Sequence, residues 1–225
     1  MRNYITTVAV AAGGASAAAG SRYLIDDLSL SPGSALAVST LLAILVYRGL
    51  EILLVVVPLR WRWARRILDV RARFEGIWIS RTDKEGSRYY NYITLSYEPS
   101  AEDFSISGIS FGNEDEHHSS WAGANIEFDL KKPVVRFFYE ASVHEADVED
   151  VLGFASIKFQ GASSGSFTSG AGHIVDTGSS SKKYPIVFNR LEAAEMKDLV
   201  GMKKVATIDQ KQSLLRAYRK QHPNF

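Results

Sequence analysis

Phe74-Glu75-Gly76-Ile77-Trp78-Ile79-Ser80-Arg81 is the stretch on which the reading of this chain turns. Before it, apolar residues fall in long runs. From it onward they alternate with polar ones at a period of two, as half-buried strands do. Seven further runs share this chemistry: Arg88–Glu98, Phe104–Gly112, Ser119–Leu130, Val134–Ser142, Leu152–Gln160, Ser166–Asp176 and Lys182–Arg190. Tyr, Phe, Ile, Val and Thr dominate them, and Glu98-Pro99-Ser100, Lys132-Pro133 and the Gly/Ser segment from Gly161 to Gly165 punctuate them. No helical pattern of useful length intervenes, which excludes parallel βαβ units. The expected fold over 74–190 is an eight-stranded antiparallel up-and-down β-barrel, whose closure removes both sheet edges. A jelly roll or sandwich is the alternative.

The gaps at 82–87, 113–118, 143–151 and 177–181 are mostly longer than those at 99–103, 131–133 and 161–165. In a barrel the two sets lie at opposite ends, so one end is expected to be loop-rich and open and the other tight. The first strand follows directly on the N-terminal region, so the tight end is expected to face that region.

Gly76-Ile77-Trp78 on the first strand resembles the Gly-x-Trp signature of lipocalin-like (calycin) barrels. Those barrels stack an Arg from the end of the last strand on that Trp, and Asn189-Arg190 occupies the matching place here. The resemblance implies a structural plug of Gly76, Trp78 and Arg190 held by a cation–π contact.

Working outward to the N-terminus, Tyr4 to Gly20 carries no charge. As a helix it is about 26 Å long, marginal against a hydrocarbon core of about 30 Å. Ala9, Gly13 and Ala17 form a stripe of small residues that lets another helix approach closely. A secretory signal ending at Ala17-Ala18-Ala19 is the rival reading. Ser34 to Leu59 is longer and richer in Leu, Ile and Val, interrupted by Arg48 and Glu51. These two share a helix face, either as an intramembrane ion pair turned toward other helices or as the point where the helix leaves the bilayer. Arg60, Arg62, Arg65 and Arg66, with Trp61 and Trp63 between them, suit the headgroup layer and mark this end as cytoplasmic. The expectation is a two-span hairpin over 1–66 in the inner membrane, with both termini and the barrel in the cytoplasm. Gly13, Ala17, Arg48 and Glu51 are its candidate assembly residues.

Beyond the barrel, 191–225 reads as a helical tail. Leu191, Ala194, Leu199, Met202 and Val205 form an apolar stripe, and Leu214, Leu215 and Tyr218 give a second helix an apolar face. Asp209 and Gln212 read as its capping box. The tail is expected to lie on the outside of the barrel; an oligomerisation helix, or Arg216, Arg219 and Lys220 against anionic lipid, are the sharper alternatives.

The composition narrows the function. The chain has 225 residues, 46% apolar and 23% charged, with a formal net charge of +1. That excludes disorder, and it argues against a protein that grips nucleic-acid polymers by their phosphates. There is no cysteine, hence no disulfide framework, thiolate zinc site or cysteine nucleophile. His117-His118 beside Glu114, Asp115 and Glu116, and His144-Glu145 beside Asp147, Glu149 and Asp150, read as solvated loops rather than metal sites. Gly161 to Ser166 lacks the Gly-Lys-Ser/Thr ending of a P-loop, and no strand-to-helix turn follows it to make a nucleophile elbow. No catalytic residue, metal or cofactor is expected.

Two N-terminal spans followed by a cytoplasmic eight-stranded barrel resemble the two-transmembrane β-barrel effectors of CBASS anti-phage systems. The resemblance implies a receptor for a cyclic dinucleotide, whose binding promotes homo-oligomerisation, disruption of the inner membrane and cell death. It carries no residue signature for the ligand pocket. Such a ligand needs donors for two phosphates and flat rings for two bases. The candidates near the open mouth are Arg88, Tyr90, Tyr92 and Thr94 on the second strand, Arg136 on the fifth and Tyr184 on the eighth. The opposite parity of the second strand offers Tyr89 and Asn91, and there Ile93 and Leu95 make the plainer core face. A lipocalin-like site for an apolar ligand, or a membrane scaffold with a filled barrel, are the competing readings.

Overall fold

A computed structural model describes residues 2–26, 31–52, 61–98, 101, 103–144, 150–163, 166–177, 182–202 and 204–225. The chain divides into two compact units, Met1–Val70 and Arg71–Phe225.

The first unit is helical. α1 spans Arg2–Asp26 and α2 spans Pro32–Glu51. Ser31 caps α2, its hydroxyl accepting from the Ser34 N–H, and Pro32 fills the first turn where no N–H is needed. Gly13 is buried: a Cβ there would sit 3.2 Å from the Ala43 carbonyl oxygen and 3.4 Å from the Tyr47 Cβ. Gly20 faces Ser39, so the two helices run antiparallel. Gly13 of the small-residue stripe therefore packs against α2 within the hairpin, and Ala17 is half-buried on the same helix. Among the described residues one helix is long and apolar enough to cross a membrane, at Gly33–Leu50 with mean hydropathy 1.6. Its outward residues, such as Leu41 and Leu45, are apolar and exposed, as lipid contact requires. α1 falls short because Ala and Gly carry little hydropathy. The Glu51 side chain, Arg60 and the end of the apolar run lie outside the described residues, so the expected Arg48–Glu51 pair does too. α3 spans Arg62–Leu68.

The second unit is the barrel. After a 3-10 turn at Val70–Arg73 come β1 (Gly76–Lys84), β2 (Ser87–Glu98), β3 (Asp103–Phe111), β4 (His117–Asp129), β5 (Val134–Val143), β6 (Val151–Ser163), β7 (Ser166–Asp176) and β8 (Lys183–Leu191). They close in sequence order, each antiparallel to the next, with β8 paired back onto β1. All eight expected strands are present and most run further than expected. β1 and β2 therefore meet in a two-residue turn at Glu85 and Gly86, with φ of 53° and 85°. Both angles suit the left-handed turn that follows strand twist. This corrects the expectation of a long first loop; the other gaps at that end remain the longer set.

Every second residue faces the interior. At the end where the chain enters, Phe74 packs its ring on Phe128, Phe159 and Phe167, with centroids 5.4, 5.1 and 4.7 Å away. Trp78 donates its indole N–H to the Phe74 carbonyl at 3.0 Å. The Arg190 guanidinium lies 5.3 Å from the Trp78 ring and donates to the carbonyls of Arg73, Glu75 and Phe167. A Cβ on Gly76 would sit 2.6 Å from that guanidinium, so only glycine leaves it room. The Gly76–Trp78–Arg190 plug is as expected from the sequence.

The tail forms α4 (Ala193–Val200) and α5 (Ile208–Gln221). Both pack outside the barrel, burying Met196, Leu214, Leu215 and Tyr218 against Ile79, Tyr90, Tyr92 and Phe111. Met196 rather than Ala194 faces inward, and the capping box is Thr207 with Gln210 rather than Asp209 with Gln212. The frame is two residues earlier because Thr207 takes the extended cap conformation, leaving Asp209 inside the first turn.

Candidate functional site

The plug fills one end of the barrel and leaves a cavity of about 110 Å³ at the other. Its walls are largely aromatic and aliphatic: Trp121, Phe137, Phe188, Ile174 and Ile186, with Ala141 and Ala155 giving the space. Glycines let the large rings lie flat across neighbouring strands. Trp121 on β4 covers Gly108 on β3, where a Cβ would fall 2.4 Å from the indole. Tyr139 on β5 covers Gly153 on β6, where a Cβ would fall 2.2 Å from the phenol ring.

The Gly153 gap builds the polar wall. Tyr139, Gly153 and Asp176 stand side by side on β5, β6 and β7. With no side chain between them, the Tyr139 hydroxyl reaches over β6 and donates to one Asp176 oxygen. Lys84 at the end of β1 donates to the other. The Lys84 ammonium also lies 5.5 Å from the Tyr184 ring, and the Tyr184 hydroxyl donates to Glu85 at 3.0 Å. Asp176 is buried, its side chain 9% exposed, so this carboxylate is kept by its two donors. Burial works against the Lys84 charge, but the hydrogen bond to Asp176 and its charge outweigh that and hold the ammonium above its ordinary value. Burial, then the Asp176 bond, push the Tyr139 phenol well above its usual range, so it stays a donor. On the opposite wall Ser110 donates to Asn91, which donates to Ser80 at 2.8 Å.

Histidines line the rim. His118 meets Tyr89 at a tilt of 40° with centroids 4.7 Å apart, and the His117 ring lies 4.1 Å from that of His144. Burial first, then the His144 charge, lower the His117 value below the ordinary one. The unfolded chain then binds that proton more readily than the folded one, so stability falls as pH drops through about 6.5. Thermal melts from about pH 7.5 to 5 should show a steeper loss in the wild type than in His117→Asn; equal slopes would contradict this.

The expected ligand residues divide. Tyr184 points inward beside the polar wall, as expected. Tyr90, Tyr92 and Thr94 do not line the cavity: β2 turns Asn91, Ile93 and Leu95 inward, and Tyr90 and Tyr92 lie beneath α5. The Arg219 guanidinium stacks on Tyr90 at 4.2 Å and the Lys211 ammonium on Tyr92 at 5.1 Å. Arg136 is on the outer face, 3.2 Å from Glu127 on the neighbouring strand. Alternation puts it there, since Val135 and Phe137 are the buried pair. Arg88 is also outside, 2.9 Å from Asp83. Arg88 and Tyr90 nevertheless help bound a second, outer groove of about 520 Å³ with Arg216, Arg219 and Lys220. There Asp115 accepts from Arg216 at 2.9 Å and Arg219 at 2.6 Å. The residues the sequence reading missed are Lys84, Trp121, Tyr139 and Asp176. Lys84 shares the parity of Trp78, and Gly153 within a strand signals a close approach by another group. Among the described residues no group of three or more His, Asp or Glu is placed to hold a metal ion.

The chain has no match among protein families, curated proteins or solved structures.

Proposed function

We propose that this protein is a membrane-anchored receptor in which a small ligand enters the barrel mouth and shifts the assembly of the N-terminal helices. The observation that carries the reading is the asymmetry of the barrel interior: plugged by Trp78 and Arg190 where the chain enters, hollow and partly polar at the other end. A purely structural barrel has no need of a buried carboxylate paired with a half-buried lysine facing a void, since desolvating the charges offsets what the pair contributes.

The resemblance to CBASS effectors supplies the fuller version. The ligand is a cyclic di- or oligonucleotide, both termini and the barrel are cytoplasmic, and occupancy drives homo-oligomerisation and disruption of the inner membrane. Ligand can do this only by binding the assembled state more tightly. The size of the mouth limits how a nucleotide sits. An apolar cavity of about 150 Å³ takes one benzene ring, so the cavity here, at about 110 Å³, takes at most the edge of one base, with the sugar and phosphates left at the rim. The outer groove favours a second reading. It falls in the usual range for whole small-molecule sites, about 300–1,000 Å³, and has Arg88, Arg216, Arg219 and Lys220 around it where the mouth has Lys84.

The test is thermal stability of the full chain in detergent against cyclic di- and trinucleotides and a series of fatty acids. A ligand at 100 times its Kd should stabilise by about 2.7 kcal/mol. Ala155→Leu, which fills the mouth, should abolish the shift if the ligand enters there and spare it if the ligand occupies the outer groove. No shift with any compound from folded protein would remove the receptor reading and leave a scaffold. In cells, Glu51→Ala should abolish toxicity with ligand affinity intact; continued killing would dismiss the ion pair's part in assembly.

A further inference from the structure

We infer that the barrel mouth reads the edge of a single pyrimidinone ring, an N–H beside a C=O. This deepens the receptor reading above and rests on it. Three properties of the cavity lead to it.

The first is size. With about 110 Å³ the cavity is smaller than the void that accommodates benzene, so it takes the leading edge of one six-membered ring, the rest of the ring staying at the open rim, and has no room for a fused purine. The second is shape. The Trp121 and Phe137 rings both line the cavity and are nearly parallel, 11° apart, so they offer a planar ring a single orientation. The third is the polar edge. Asp176 engages one of the three N–H donors of Lys84, leaving others for a ligand acceptor. An ionised carboxylate offers about four acceptor positions, and Lys84 and Tyr139 take two at Asp176. A charged donor and a charged acceptor therefore stand side by side on the wall, matched to adjacent C=O and N–H groups in a ring plane. The pair is neutral as a whole, so a second anion inside would compete with Asp176 for Lys84. That disfavours a phosphate or a fatty-acid carboxylate in the same space. Tyr139 held in its protonated form keeps one Asp176 oxygen occupied, so the free acceptor position is a fixed one.

The same ring chemistry comes from two sources, a free nucleoside or one base of a cyclic nucleotide. Calorimetry on the full chain in detergent uses four probes: uridine, N3-methyluridine, adenosine and cyclic di-uridylate. Binding of uridine identifies the free nucleoside; binding of cyclic di-uridylate alone identifies a base held within a larger signal. Methylating N3 removes the donor to a charged acceptor, so N3-methyluridine, or the N3-methylated dinucleotide, should bind at least tenfold more weakly. Adenosine should not compete. Asp176→Asn removes the acceptor charge; Lys84→Gln, at a partly exposed position, tests the same edge if the first variant does not fold. Either should weaken uracil binding at least tenfold while leaving any purely stacked ligand unaffected. Equal binding of the methylated and unmethylated rings overturns the edge-reading inference and leaves the receptor reading standing. Binding of a fatty acid or purine in the mouth, lost in Ala155→Leu, does the same. Absence of any ligand, uracil-bearing or not, overturns both.

Discussion

Trp78→Ala is expected to lose about 3–5 kcal/mol of folding stability, the range for removing a buried aromatic from a core. Trp78 is 1% exposed. Its ring meets Phe159 and Phe188 with centroids 4.9 and 6.4 Å away, and its indole N–H holds the Phe74 carbonyl. The loss extends beyond the void. The Arg190 side chain is 1% exposed and sits between the Trp78 face and three backbone carbonyls. With the ring gone, one face of a buried cation loses its cover. Denaturation of the full chain in detergent, followed by circular dichroism so that the lost indole does not bias the signal, measures the effect. Pairing it with Arg190→Met in a double-mutant cycle should give a coupling of about 0.5–3 kcal/mol, as expected for residues in contact. Additive losses would show that ring and guanidinium are neighbours without a shared contribution.

Leu214→Ala should cost about 2–5 kcal/mol, and the cost should appear as release of α5 rather than collapse of the barrel. Leu214 is fully buried between α5 and the outer face of the barrel. The strands are held by a closed ladder that does not involve α5, whereas α5 rests on one apolar seam and on the Asp115 contacts to Arg216 and Arg219. Limited proteolysis within 208–221 should therefore speed up on the order of 30-fold for each 2 kcal/mol lost, while strand circular dichroism is retained. An unchanged cleavage rate would mean that the polar and cation–π contacts, those of Asp115 with Arg216 and Arg219 among them, keep the helix in place without Leu214. Release would also bare Tyr90, Tyr92 and Phe111, an apolar strip on the barrel wall.

The two sites differ in how well they could be read in advance. The plug was legible because glycine, tryptophan and arginine occupy fixed places on the first and last strands, and closure of the barrel brings those strands together. The mouth was less so. Tyr184 can be placed by its shared parity with Arg190, but the sequence leaves β2 open between the Tyr90, Tyr92 and Thr94 face and the Asn91, Ile93 and Leu95 face. From Tyr90 to Ile93 four successive residues are buried. An ordinary barrel strand shows alternation because its outer face is wet; here α5 covers that face, so both sets of side chains are apolar and aromatic and the period-two signal disappears. The Lys84–Asp176–Tyr139 cluster was hidden for another reason. It joins β5 and β7, which flank β6, to β1, which only closure of the barrel brings near, through a glycine whose role is to leave the space empty.

From the sequence alone came the helical N-terminal region with its apolar helix, the eight strands and their order, the closed barrel and the outer helices. Each follows from local periodicity and turn chemistry, which act over a few residues and are written directly in the chain. The tertiary structure decided which face of β2 looks inward, that Gly13 packs within its own hairpin, and that Arg88 and Arg136 stand outside. It also showed that a lysine, a tyrosine and an aspartate far apart in the chain form the polar wall of the mouth. Those outcomes depend on what covers each surface, and that is settled only when distant segments pack together.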